Sequence, residues 1–232
     1  MRTSDIPTKS NPLLEFFNSR TQGQGIWKWE HYFDIYDRHL KRFRGTDVHI
    51  LEIGVYSGGS LEMWDHYFGP DAHVFGVDIQ PDCQVYERNN IRIFIGDQAD
   101  RNFWKEFRHA VPTLDIVIDD GGHEPNQQRV SLEELLPHLR AGGVYLCEDV
   151  HGSKNEFATY VHRLAQKLND CSDFSSNVDD NDRRLVAKTT RFQRFVNSVH
   201  LYPYVMVIEK NTVPLSELRA PKRGTLWQPY LE

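Results

Sequence analysis

LEIGVYSGGS, residues 51–60, decides how this 232-residue chain is read. An apolar run closes on Gly54, a short turn carries Gly58 and Gly59, and an amphipathic stretch, SLEMWDHYF, follows at once. That is a strand running through a tight turn into a helix, with glycines where the backbone must bend sharply. Working outward, the alternation recurs. Apolar runs at 48–55, 73–79, 91–97, 114–120 and 143–150 are dense in Val, Ile, Leu and Phe, as strands covered on both faces should be. Between them SLEMWDHYF, RNFWKEFRHA and NQQRVSLEELLPHL repeat their apolar residues at the helical spacing. Strand, helix, strand in series predicts an α/β fold, with right-handed crossovers placing helices on both faces of one doubly wound, mostly parallel sheet.

The flanks complete a single domain. Residues 26–43 read as a helix with Trp29, Phe33, Tyr36 and Leu40 on one face, within an N-terminal helical lid region, 1–46. Residues 155–169 read as another helix, and FVNSVHLY with YVMVIEK as an antiparallel hairpin at the sheet edge, completing a core over 47–210. The polar residues within 170–194 predict a mobile loop, and 211–232 a C-terminal tail. Trp27, Trp29, Trp64, Trp104 and Trp227 are scattered and read as packing residues, and His31 and Tyr32 could close over a ligand but read at least as well as solvated or core-facing helix residues.

Composition narrows the function. With 39% hydrophobic and 12% aromatic residues the chain folds, and a net charge of −6 gives no long-range attraction for nucleic acid or an anionic membrane. Three cysteines, Cys83, Cys147 and Cys171, without CxxC spacing argue against a disulfide framework or a cysteine-ligated zinc. The N-terminus lacks the apolar run of a signal peptide, so the expected compartment is the cytoplasm.

Ligands of such sheets bind beyond the carboxyl ends of the strands. The ends here carry Glu52, Gly54, Tyr56, Ser57, Gly58 and Ser60 on the first, Asp78 on the second, Asp97 and Gln98 on the third, and Asp119 on the fourth. Asp78, 24 residues after Gly54, could accept from both hydroxyls of a ribose. A dinucleotide fingerprint would need glycine where Tyr56 stands, and Glu52 disfavours a pyrophosphate, which speaks against an NAD-dependent oxidoreductase. S-adenosylmethionine, with a ribose, no phosphate and two cationic groups, fits better. Asp119-Asp120-Gly121-Gly122-His123 and Glu148-Asp149 end adjacent runs, so their carboxylates should converge and hold a hard divalent cation, Mg²⁺ first. His123 is then the candidate general base.

At these motifs the sequence resembles class I S-adenosylmethionine-dependent methyltransferases, and more narrowly the macrocin and mycinamicin sugar O-methyltransferases. LEIGVYSGGS, VDI, GDQAD, IDDGGHEPNQQ and YLCEDVHG carry the resemblance, with KWEHYFDIYDRHL upstream and SVHLYPYVMVIEK downstream. It implies a Rossmann-like seven-stranded sheet with an antiparallel last strand, Asp120, Glu148 and Asp149 as metal ligands, His123 as base, and Glu52, Gly54, Asp78 and Asp97 at the methyl donor. The second glycine of DDGGH is often serine in relatives, and residues 1–25 and 170–194 match no part of the pattern. The expected reaction is Mg²⁺-dependent methyl transfer to a hydroxyl of a small natural product, glycosylated ones included. The partner is a small-molecule acceptor, neither nucleic acid nor membrane, and a homo-oligomer is left open. A catalytically silent S-adenosylmethionine-binding module is the alternative, weakened by the presence of both metal triad and base.

Overall fold

Apolar runs too dense for one face of a sheet must be covered on both, and the computed structural model, which describes residues 10–152, 154–170, 184–221 and 223–224, shows how. Seven strands form the main sheet: β1 (His49–Ile53), β2 (His73–Asp78), β3 (Ile91–Ile95), β4 (Leu114–Asp119), β5 (Leu139–Cys147), β7 (Val196–Tyr202) and β8 (Val205–Lys210), in the order β3-β2-β1-β4-β5-β8-β7. The first five run parallel, and β8 pairs antiparallel with both β5 and β7. This is the expected doubly wound sheet, with the antiparallel last strand inserted beside β5. Helices α3 (Gly59–Phe68), α4 (Arg101–Ala110), α5 (Pro125–Leu135) and α6 (Glu156–Gln166) fill the crossovers, and α1 (Pro12–Ser19) and α2 (Tyr32–Leu40) precede the sheet.

Alternate residues of β1 face opposite layers. Ile50 joins the layer that includes Phe33, Tyr36, Leu61 and Trp64, while Leu51 and Ile53 join the one with Trp104, Phe107, Leu132 and Phe157. Trp64 and Trp104 are fully buried, as packing residues should be, but Trp27 is 86% and Trp29 52% exposed, which corrects the packing role read for those two. Trp227 and Cys171 lie outside the described residues.

Two further readings need correction. The helix read over 26–43 begins only at Tyr32. Residues 25–29 have no regular structure and run past the cleft, because Lys28 points inward between two exposed tryptophans, an alternation no helix face can satisfy. Part of 170–194, read as loop, is ordered: Arg184–Lys188 forms strand β6, paired antiparallel with β9 (Glu217–Pro221), and Arg191–Phe195 forms α7, capped by Thr190 and Gln193. The pairing satisfies backbone groups without needing apolar side chains, so hydropathy does not signal it. Residues 171–183 of that loop reading lie outside the described residues. Among the described residues no helix is long and apolar enough to cross a membrane.

Candidate active site

Register brings the motifs together. Ile53 of β1 pairs with Val77 of β2 and with Asp119 of β4, and Asp119 pairs with Cys147 of β5. The next residue on each strand, Gly54, Asp78, Asp120 and Glu148, therefore falls in one row along the sheet's carboxyl edge. Backbone bonds extend that row, from Gly54 N to Val77 O at 2.8 Å, Asp120 N to Ile53 O at 2.9 Å and Glu148 N to Asp119 O at 2.8 Å. Gly54 has φ +92°, and a Cβ there would run into the Asp120 carbonyl, so only glycine lets the two strand ends approach this closely. The row opens onto a cleft of about 880 Å³ at the point where the strand order reverses between β1 and β4.

Gly54, Tyr56, Ser57, Ser60, Asp78, Asp97 and Gln98 all line this cleft, as do Asp120, His123, Glu148 and Asp149. Asp78 Oδ2 accepts from the amides of Val55 and Tyr56 at 2.9 and 3.0 Å, and its Oδ1 from Gln80 N at 2.9 Å, so it pins the glycine turn. Gln98 braces the DDGGH turn: its amide donates to Asp119 Oδ1 and Ser131 Oγ, and its carbonyl oxygen accepts from Gly122 N at 2.7 Å. Gly58, Glu52 and Asp119 lie behind the lining. Asp119 is sealed against Tyr145 OH at 2.9 Å, and burial lifts its carboxyl to about 7 although hydrogen bonds from Tyr145 and Gln98 oppose the rise. Glu52, fully buried, meets Ser60 Oγ at 2.6 Å, and burial raises its carboxyl against the pull of Lys28.

Asp120 and Asp149 share a design. One oxygen of each is held by the protein: Asp120 Oδ2 by Lys28 Nζ at 2.6 Å, Asp149 Oδ1 by Tyr32 OH at 2.7 Å and Trp29 Nε1 at 3.1 Å. The other oxygens face His123, with Asp120 Oδ1 at 3.9 Å and Asp149 Oδ2 at 3.7 Å from its Nε2. These three residues offer ligand atoms within 4.8 Å of one another. Glu148 joins from behind, with both oxygens on Lys28 at 3.1 and 3.2 Å and Oε1 also on Tyr36 OH at 2.6 Å. Burial and the neighbouring Asp120 raise the Glu148 carboxyl. His123 Nδ1 is buried without a partner among the described residues. His31 bonds the Pro203 carbonyl at 3.0 Å, and only Tyr32 of the expected pair lines the cleft.

The residues fit a hard divalent cation. Three carboxylates, Glu52, Asp120 and Glu148, gather around one lysine, and the free oxygens of Asp120 and Asp149 converge with an imidazole. Backbone strain marks the same place. Tyr56, His123 and Asp149 have φ of +49°, +59° and +51°, conformations costing on the order of 1–3 kcal/mol each, which persist at sites the surroundings over-determine. Lys28 and Trp29 were missed by the sequence reading, and the one available signal was WKW, a lysine between two aromatics that cannot share a helix face with both.

Comparison with known proteins agrees with this geometry. A family described as methyltransferase domain matches residues 51–150. Demethylmacrocin O-methyltransferase of Streptomyces fradiae is 39% identical over 152 residues, covering 62% of this chain and 38% of that protein. Mycinamicin VI 2''-O-methyltransferase of Micromonospora griseorubida is 41% identical over 148 residues, 60% of this chain and 36% of that protein. The structure of MycE methyltransferase from the mycinamycin pathway, in complex with Mg, SAH and mycinamycin VI, superposes with a TM-score of 0.68 at 27% identity, over 88% of this chain and 54% of that one. The chain thus spans well under half the length of these curated relatives and about half of the MycE chain. With the methyltransferase-domain match lying over β1 to β5 and the row of strand-end acids, the chain resembles class I methyltransferases and, among them, the macrocin and mycinamicin sugar O-methyltransferases.

Proposed function

We propose that the protein transfers a methyl group from S-adenosylmethionine to a hydroxyl of a small natural product, glycosylated ones included, with a divalent cation, Mg²⁺ first, at Asp120, Glu148 and Asp149. The observation that carries the reading is the convergence of the free oxygens of Asp120 and Asp149 with His123 Nε2 at the strand-order reversal, beside the turn pinned by Asp78. Asp78 and Asp97 both line the cleft, which supports them as acceptors for the donor's ribose and base, and the net negative charge around Lys28 favours the donor's ammonium and sulfonium. A hydroxyl is a poor nucleophile at neutral pH, and a bound divalent cation supplies acidification of the hydroxyl and fixes its place. His123 Nε2, aimed into the same space, takes the proton. Tyr32 and Trp29 hold Asp149 in orientation, and Lys28 holds Asp120, so the two carboxylates need not reorganise during turnover. The relatives' acceptors, demethylmacrocin and mycinamicin VI, support a sugar-bearing acceptor for this chain.

Calorimetry with S-adenosylhomocysteine and with NADH tests the donor, and incubation of glycosylated macrolides with enzyme, donor and Mg²⁺ tests the reaction by the mass gain of one methylene. Binding of S-adenosylhomocysteine and not of NADH, and methylation abolished by EDTA, are expected. NADH binding, or methylation untouched by EDTA, would overturn the donor or the metal half respectively.

A further inference from the structure

Among the described residues Lys28 is the one lysine or arginine lining this acidic cleft, and its surroundings are unusual. Its side chain is 2% exposed, and its ammonium lies 2.6 Å from Asp120 Oδ2, 3.1 and 3.2 Å from the two oxygens of Glu148, and 3.4 Å from Glu52 Oε1. Four oxygens from three acids exceed what three N–H groups can serve singly. This is a cation embedded among oxygens, not a lysine paired with one acid. Two of those acids, Asp120 and Glu148, are also ligands in the reading above.

We propose that Lys28 is a positioning residue that contends with the divalent cation for the same carboxylates and thereby sets how tightly the metal binds. The inference rests on the assignment of Asp120, Glu148 and Asp149 as ligands. Asp120 keeps Oδ1, and Asp149 keeps Oδ2, turned toward His123, but both oxygens of Glu148 are engaged by Lys28. A divalent cation can therefore draw on Glu148 only by taking it in part from the ammonium, and two positive charges a few ångströms apart repel even at a surface-like dielectric. Metal affinity is then lower than the oxygens alone would give. In return, Lys28 holds Asp120, Glu148 and Glu52 together against their mutual repulsion.

The chain places this control beside a reporter. Trp29, the next residue, is half exposed and donates to Asp149 Oδ1, so one short irregular segment grips the acids from both sides. A shift of Asp149 on metal binding will change the environment of the Trp29 indole.

The test is titration of the full chain with Mn²⁺, followed by calorimetry and by tryptophan fluorescence, in wild type, Lys28→Met and Lys28→Arg at mildly alkaline pH. Lys28→Met should bind Mn²⁺ on the order of tenfold more tightly and melt at a lower temperature than wild type in EDTA. Lys28→Arg, which keeps the charge, should return affinity toward the wild-type value. Equal or weaker Mn²⁺ binding by folded Lys28→Met overturns the proposal, since a lysine that merely supports the ligands would lower affinity when lost. If Lys28→Met folds only with metal present, the Mn²⁺ concentration that restores its melting transition is compared with the wild-type dissociation constant. A value well below that constant supports the proposal, and one at or above it overturns it. Failure of the wild type itself to bind Mn²⁺ would overturn the metal assignment and the inference together, whereas wild-type binding that ignores Lys28 overturns the inference alone.

Discussion

Replacing Asp78 separates two roles that the geometry superimposes. The carboxylate accepts from Val55 N, Tyr56 N and Gln80 N, all between 2.9 and 3.0 Å, and so holds a turn in which Tyr56 sits at φ +49°. In Asp78→Ala the three amides lose a charged acceptor. Val55 is buried, so its amide loses about 1.5–3 kcal/mol, while the exposed Tyr56 and Gln80 amides regain water at a cost of about 0.5 kcal/mol each. The sum, about 2.5–4 kcal/mol, corresponds to a fall in Tm of roughly 5–15 °C for a domain of this size. Asp78→Asn keeps one carbonyl oxygen for Val55 and Tyr56 but turns an amide toward Gln80 N–H, so about half that loss is expected. Binding should not follow the same order. If the carboxylate also accepts from the ribose hydroxyls, both variants lose charge-assisted bonds and bind S-adenosylhomocysteine roughly ten- to hundredfold more weakly. Differential scanning fluorimetry and calorimetry on the two variants give the comparison. An Asp78→Asn protein that melts lower yet keeps wild-type affinity would refute the ribose role and leave Asp78 as the pin of the turn alone.

Two more outcomes are expected. His123→Ala leaves the carboxylates in place, so turnover should fall by about 10²- to 10⁴-fold with S-adenosylhomocysteine affinity unchanged, and extra Mg²⁺ should not restore it. Rescue by Mg²⁺ would make His123 a ligand instead. Away from the cleft, a hydrogen bond from His39 outweighs the effect of burial and, with Arg42, holds the Glu209 carboxyl down to about 2 from its ordinary 4.5. A folded-state value below the unfolded one stabilises fully above the ordinary range and is lost as pH falls from about 4.5 toward 2, a contribution of roughly 2–3 kcal/mol. Urea midpoints of Glu209→Gln should therefore lie below wild type near neutral pH and converge with it near pH 2–3; a gap independent of pH would show that packing, not charge, joins α2 to β8.

The central strands of the main sheet, β1, β4 and β5, could be read because they are covered on both faces, which concentrates Val, Ile and Leu in runs. Strands β6 and β9 could not. Their register, Arg184 opposite Pro221 through Lys188 opposite Glu217, rests on backbone pairing at the surface, and β9 is exposed along most of its length. The helix read over 26–43 failed for the reverse reason. Ile26, Trp29, Phe33, Tyr36 and Leu40 keep a helical spacing, but the period says nothing of Lys28, whose ammonium is drawn inward by acids 24, 92 and 120 residues away along the chain.

The acids of the site were legible for a geometric reason. A parallel sheet aligns its strand ends, so residues following apolar runs must share one edge, and Gly54, Asp78, Asp120 and Glu148 do. What alignment does not give is the direction of each side chain. Glu52 lies two residues before Gly54 on the face toward Trp64, sealed from the cleft, whereas Asp149 is turned into it by a left-handed backbone conformation. Sequence spacing treats those two acids alike, and only the fold separates them. The separation has a chemical consequence. Glu52, with Ser60 and Lys28, stabilises the cluster from behind, while the free oxygens of Asp120 and Asp149 face His123 from the front. Three carboxylates around one ammonium, with Asp149 beside them, leave a net negative charge in a mostly buried place, and burial makes such an imbalance expensive unless cations complete it. A divalent ion on the front oxygens and a cationic methyl donor beside them would both reduce it, so binding of either one changes the field felt by the other. Donor affinity measured with and without Mg²⁺ should therefore differ, and the sign of that difference follows from whether repulsion between the two cations or the ordering of Asp149 by the metal is the larger effect.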